Sequence, residues 1–157
     1  MTRDFSPVRN RAFRHPIDRI ATTSDPFRRE IAMSVERVAG KFMELCKQGK
    51  HFDVMRGMYS ADMVSVEGTG KETVGKEPVI RKSELWQGNN IIHGQKLFGP
   101  FYCGDPNASA GRFAVYSLLD YTPKAGGKRR TQEEVGLYTV KGEQITREEF
   151  FYDGAFI

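Results

Sequence analysis

Residues 131–153, TQEEVGLYTVKGEQITREEFFYD, constrain the fold more than any other stretch of the chain. They read as two strands joined by a tight turn at Lys141-Gly142. Val135, Leu137, Tyr138 and Val140 mark the first strand. The second covers 145–152 and is rich in β-branched and aromatic residues, which suit a pleated, half-buried surface. Side chains alternate across a strand, so Thr146, Glu148, Phe150 and Tyr152 share one face and Arg147, Glu149 and Phe151 the other. Both faces mix charge with aromatic bulk. That mixture fits a curved sheet with a pocket on one side and a partner on the other.

The chain of 157 residues is long enough for one domain with its own core. It has no apolar run of membrane-spanning length and no signal-peptide pattern. Cys46 and Cys103 therefore read as free thiols of a cytoplasmic protein. The net charge of +4 would suggest nucleic acid, but residues 1–32 hold seven arginines against four acidic residues. From Met33 onward 17 basic residues face 16 acidic ones, so the folded body lacks the charge footprint of a nucleic-acid binder. Residues 1–26, with Pro7, Pro16, Pro26 and scattered arginine, read as a basic, disordered tail ahead of a domain at 27–157. A nucleic-acid arm, a targeting peptide and a true start at Met33 are the competing readings of that tail.

Ile31, Val35, Val38, Phe42 and Leu45 recur at helical spacing and predict an amphipathic helix over 27–47, stopped near Gly49. A short second helix carries Phe52, Val54, Met55 and Met58. Residues 59–62 are expected to turn, and 63–67 to form a short strand ended by Gly68-Thr69-Gly70. That glycine loop meets neither phosphate-binding pattern: Ser65 and Glu72 break one, and Thr73 breaks the other. It reads as a loop at a pocket mouth. A third helix begins at 75–78 and packs through Val79, Ile80, Leu85 and Trp86. Strands follow at about 91–102, 112–122 and 129–140, separated by turn-rich segments at 104–107 and 123–127. Helices segregated from an antiparallel meander define an α+β domain.

At this point the chain resembles a family. Gly49-Lys50-His51-Phe52, Met58-Tyr59-Ser60-Ala61-Asp62, Val64-Ser65-Val66-Glu67-Gly68 and the run 75–81 are similar to the opening of the nuclear transport factor 2-like superfamily. The closing hairpin, from Tyr138 through Ile145 to Glu148-Glu149-Phe150-Phe151-Tyr152, is similar to its SnoaL-like branch. The resemblance implies a cystatin-like cone: a strongly curved antiparallel sheet wrapped around about three N-terminal helices, with a concave, deep and apolar pocket. It also implies a homodimer through the outer sheet face. The superfamily holds isomerases, cyclases, dehydratases and non-catalytic binding modules, so the fold alone chooses no activity.

Glu67 stands where isomerase members carry their proton-transferring carboxylate, and a carboxylate in an apolar wall would hold its proton more tightly. The bland alternative is a strand-end carboxylate in solvent. The family's oxyanion-binding tyrosine corresponds to Phe42, and its assisting acid falls near Gly136, which argues against steroid isomerisation. Glu148 is the second candidate, weighed against a simple ion pair with a nearby Arg or Lys, and Glu134 lies on the adjoining strand. His93 is a possible base at the pocket mouth, weighed against a plain hydrogen-bonded histidine. His15, His51 and His93 form no ligand spacing, so no metal is expected.

The catalytic candidates are thus Glu67, Glu148 and His93. Phe42, Trp86, Val115, Ser117, Leu119, Glu134, Tyr138, Phe150 and Tyr152 are the expected ligand contacts. The expected ligand is a small apolar or semi-polar molecule, the chemistry cofactor-free proton transfer, and the partner a second copy, with neither nucleic acid nor membrane involved. A non-catalytic association module working through Tyr116, Leu118 and Phe151 on the sheet's outer face is the competing class.

Overall fold

A computed structural model describes residues 34–152. The tail, the start at Met33, Ile31 and the last residues of the closing stretch lie outside the described residues. Three helices and six strands run in the order α1 (Val35–Lys47), α2 (His51–Met58), β1 (Tyr59–Val66), β2 (Glu72–Val74), α3 (Lys76–Gly88), β3 (Asn90–Cys103), β4 (Ala110–Pro123), β5 (Arg130–Lys141) and β6 (Gln144–Tyr152).

Ser34 caps α1, its hydroxyl accepting from the Arg37 N–H at 3.3 Å. Two further N–H groups of that first turn donate to the carbonyls of Pro106 and Ala108 at 2.9 Å each. The turn between β3 and β4 thereby fixes where α1 begins. The apolar stripe of α1 (Val35, Val38, Ala39, Phe42, Met43 and Cys46) is buried. It packs with Phe113, Val115, Tyr138, Val140 and Ile145 of the sheet in one core. Each large side chain buried there contributes about 1.5–3 kcal/mol. Phe42 and Phe113 meet edge to face with centroids 5.5 Å apart, and Phe113 stacks on Tyr138 at 5.1 Å.

The sheet has the order β2-β1-β6-β5-β4-β3. The meander from β3 to β6 is antiparallel, while β1 joins β6 in parallel. That pairing places the strand carrying Ser65 beside the strand carrying Glu148. Register shifts in β3, after Ile92 and after Phe98, bend that strand.

Three local expectations give way. Residues 59–62 do not turn; α2 passes straight into β1, with Tyr59 extended and buried. Its hydroxyl is anchored on Glu148, and an irregularity between Tyr59 and Val64 takes up the change of direction. The loop 68–70 is a hairpin turn into β2, a strand the sequence did not announce, closed by Gly70 N–H donating to the Glu67 carbonyl at 2.8 Å. Leu85 is 68% exposed rather than packed. Val79 and Ile80 face inward on α3, and five or six residues of helical rotation carry Leu85 away from them.

Candidate functional site

Residues directly opposite each other in a sheet share a face. Two such rows cross the concave side. One runs Leu97–Ser117–Glu134–Tyr152 over β3 to β6. The other runs Phe113–Tyr138–Glu148–Ser65 over β4, β5, β6 and β1. The helices cover these rows, so their polar groups must find partners inside.

Glu148 is 2% exposed. Its carboxylate accepts from the Tyr59 hydroxyl and from Ser65. Burial raises its pKa, and those hydrogen bonds together with the charge of Lys82 hold the rise back. Ser65 continues the chain, accepting from Lys82 Nζ at 2.7 Å. The same ammonium pairs with Glu67, whose other oxygen accepts from the Tyr152 hydroxyl at 3.2 Å. Gly68 makes room for the Tyr152 ring, since a Cβ there would lie 3.0 Å from it. Tyr59, Glu148, Ser65, Lys82, Glu67 and Tyr152 thus form one connected network.

Glu134 stands apart from that network. The Ser117 hydroxyl donates to it at 3.3 Å. Burial raises its pKa to about 7, Ser117 opposes the rise, and the charges of Glu67 and Glu148 add to it. The same charges act on neighbouring hydroxyls. Burial and Glu67 push Tyr152 up to about 12, and burial and Glu148 hold Tyr59 and Tyr138 well above 10. These phenols are donors at neutral pH.

A cavity of about 40 Å³ lies between the helices and this face. Phe42, Val115, Ser117, Glu134 and Tyr138, five of the expected contacts, line it. Cys46, His51, Gln95, Leu97 and Gly136 complete the lining. Gly136 is required there, because a Cβ would meet the Tyr138 hydroxyl at 2.7 Å. The tyrosine hydroxyl therefore occupies the place where the resemblance puts an assisting acid. At this volume the cavity holds about three waters.

The remaining expected residues sit elsewhere. Trp86 packs edge-on against Tyr121 with centroids 5.4 Å apart. Phe150 is half-buried beside Tyr138, and Leu119 is half-buried on β4. His93 is exposed and bonds Thr122 at 2.8 Å. Glu67 and Tyr152 meet each other but do not line the cavity. Sequence reasoning missed Lys82, Tyr59, Ser65, His51 and Gln95. Lys82 had a signal: it falls three residues after Val79 and four before Trp86, on the inner flank of α3. Among the described residues no group of three His, Cys, Asp or Glu is placed to hold a metal. No helix of the described residues is long and apolar enough to cross a membrane.

The family described as the SnoaL-like domain matches residues 33–152. A Mesorhizobium loti protein described as a SnoaL-like polyketide cyclase is 39% identical and superposes with a TM-score of 0.70, covering 76% of this chain and 100% of its own. A ketosteroid isomerase-like protein from Erwinia carotovora atroseptica shares the fold at 14% identity, with a TM-score of 0.59 over 78% of this chain and 95% of its own. A third, from Catenulispora acidiphila, has a ketosteroid isomerase-like fold and was solved with trimethylamine; it is 15% identical, with a TM-score of 0.52 over 64% of this chain and 79% of its own. Among proteins of curated function, none matches the chain.

Proposed function

The chain belongs to the SnoaL-like domain family, and on that premise we propose that it binds a small molecule on the concave face of its sheet and moves a proton on it without a cofactor. One observation carries this reading: Glu67, Glu148 and Glu134 gather on that face in three different environments. Carboxylates whose surroundings separate their proton affinities divide acid and base roles between them. Glu134 lines the cavity and titrates near neutral pH, which suits a group that takes and returns a proton. Glu67, fixed by Lys82 and Tyr152, supplies negative charge, and Glu148 holds Tyr59 in place. Ser117 and Tyr138 line the cavity, and their hydroxyls can donate to a carbonyl or hydroxyl oxygen of a ligand. Isomerisation, dehydration and cyclisation all need this equipment. Two free cysteines agree with work in the cytoplasm.

The test is solvent-deuterium exchange into a panel of small carbonyl compounds, followed by NMR. Catalysed exchange that falls about a hundredfold in Glu134→Gln and in Glu67→Gln supports the reading. No exchange with any compound, or equal rates in the variants, overturns it.

A second reading rests on the other side of the sheet. Phe98, Tyr116, Val135 and Phe151 are successive partners across β3 to β6 and so form one row on the outer face. Three of them are among the exposed large apolar residues. An open depression of about 450 Å³ lies over Tyr116, Glu133, Val135 and Phe151, reaching Glu134 and Tyr152. A second copy laid over the same row would cover it, as an isologous dimer does. Light scattering at micromolar concentration reads this directly: twice the chain mass supports the dimer, and the chain mass alone rejects it.

A further inference from the structure

The 40 Å³ cavity has a charge pattern that narrows the kind of molecule it would hold. Among the described residues its lining carries the Glu134 carboxylate and no lysine or arginine. His51 adds no compensating charge at neutral pH, because burial lowers its pKa below 6.5. The groups facing Glu134 are Ser117 of β4, Tyr138 of β5, Tyr152 and Glu148 of β6, and Glu67 beyond β1. Cys46 of α1 and His51 of α2 line the other side of the cavity. Cys46 is a neutral thiol, its pKa pushed up to about 12 by burial and by Glu148. Among these described groups the nearby positive charge is Lys82 on α3, and it is committed to Glu67 and Ser65. Among the described groups the site is therefore negative on balance once Glu134 is ionised.

The other walls suit a ligand's carbon surface. The Phe42 and Tyr138 rings, packed on each other with centroids 4.5 Å apart, line the cavity. The volume admits a ligand of about four or five heavy atoms. Gln95, exposed at the rim, leaves a way in.

We infer that this cavity binds a small organic ammonium ion, with the Glu134 carboxylate as its counter-ion and the rings of Phe42 and Tyr138 against its carbon surface. The inference names the ligand class of the site proposed above and rests on that reading for the site's role, yet binding is measured separately from turnover.

Calorimetric titration of the full chain with trimethylammonium chloride tests it, with tert-butanol as the neutral molecule of like shape and acetate as the anion at equal ionic strength. The ammonium ion is expected to bind at least tenfold more tightly than either. Tetramethylammonium, whose charge does not titrate, should bind about tenfold more tightly at pH 8 than at pH 6, as Glu134 ionises. Glu134→Gln should lose at least tenfold in affinity. Phe42→Leu, which keeps an apolar side chain and removes the ring, should lose about threefold or more while far-ultraviolet circular dichroism stays that of the parent. Equal binding of tert-butanol, unchanged affinity in Glu134→Gln, or no heat with any ammonium ion overturns the inference. Absent ammonium binding with catalysed exchange intact discards this site alone. Ammonium binding without any exchange discards the proton-transfer reading alone.

Discussion

Strands β4, β5 and β6 present two faces that differ in an unusual sense. Toward the helices they hold Ser117, Glu134 and Glu148 among the core residues Phe113, Val115, Tyr138, Val140 and Ile145. Away from them they expose Val135 at 38% and Phe151 at 55%, beside Tyr116. A sheet with one solvated face ordinarily puts apolar residues inward and polar ones outward. The inner polar groups cost stability unless each is paired, and here Tyr59, Ser65, Lys82, Ser117 and Tyr152 do the pairing. The outer apolar row gains nothing until something covers it. Each face gives up stability of the single chain, as the proposed chemistry inside and the proposed association outside would require.

Removing an inner carboxylate should break the comparison most sharply. Glu148→Ala leaves the Tyr59 and Ser65 hydroxyls buried without their acceptor and opens a void, so urea unfolding should show a loss of about 3 kcal/mol. Glu148→Gln keeps an acceptor in the same place and should stay within about 1 kcal/mol of the parent. Equal effects of the two variants would mean that the Tyr59 bond does not matter.

The next effect is a pH dependence. The folded-state pKa of Glu134 is raised from 4.5 to about 7, and that of Glu148 is raised as well. Between those values the folded chain binds more protons than the unfolded one, so this contribution is complete below about 4.5 and is lost as pH rises toward 7. Stability should fall across that window by on the order of 2 kcal/mol, and Glu134→Gln should flatten the slope. A slope unchanged in the variant would remove Glu134 as its source.

Lys82→Met strips the ammonium from Glu67 and Ser65. Both members of the pair are part-exposed, so thermal unfolding should report a loss of only about 1 kcal/mol. The outer face should respond least. Phe151→Lys is expected to leave the stability of the separated chain within about 0.5 kcal/mol of the parent while abolishing self-association in light scattering. A large loss of single-chain stability would show that Phe151 belongs to the core.

Much of this fold was legible because it is written in periodicity. The stripe of α1, the alternation of β4 and the hairpin turn at Gly142 each carry a local rule, and the inward placement of Val115, Ser117 and Glu148 followed from alternation and the family resemblance. Tyr59 was not legible as a strand residue, because its role depends on Glu148, 89 positions away. Lys82 was not singled out: its spacing from Val79 and Trp86 puts it on the inner flank of α3, but no local rule says that this flank would face Ser65 and Glu67. His51 and Gln95 reach the cavity only through the packing of α2 and the bent β3 on the sheet. The parallel pairing of β1 with β6 is equally non-local, and it is what sets Ser65 beside Glu148.

Glu134 is the carboxylate on which the proposed chemistry turns: it lines the cavity, separated from the Lys82 network yet feeling its charges. Carbon-13 NMR of glutamate-labelled protein, with the Glu134 carboxyl signal assigned by its loss in Glu134→Gln, would follow its titration in place. A midpoint near 7 is the predicted result. A midpoint at the ordinary 4.5 would mean that the carboxyl group is freely solvated, and would contradict a desolvated, negatively charged site on the concave face.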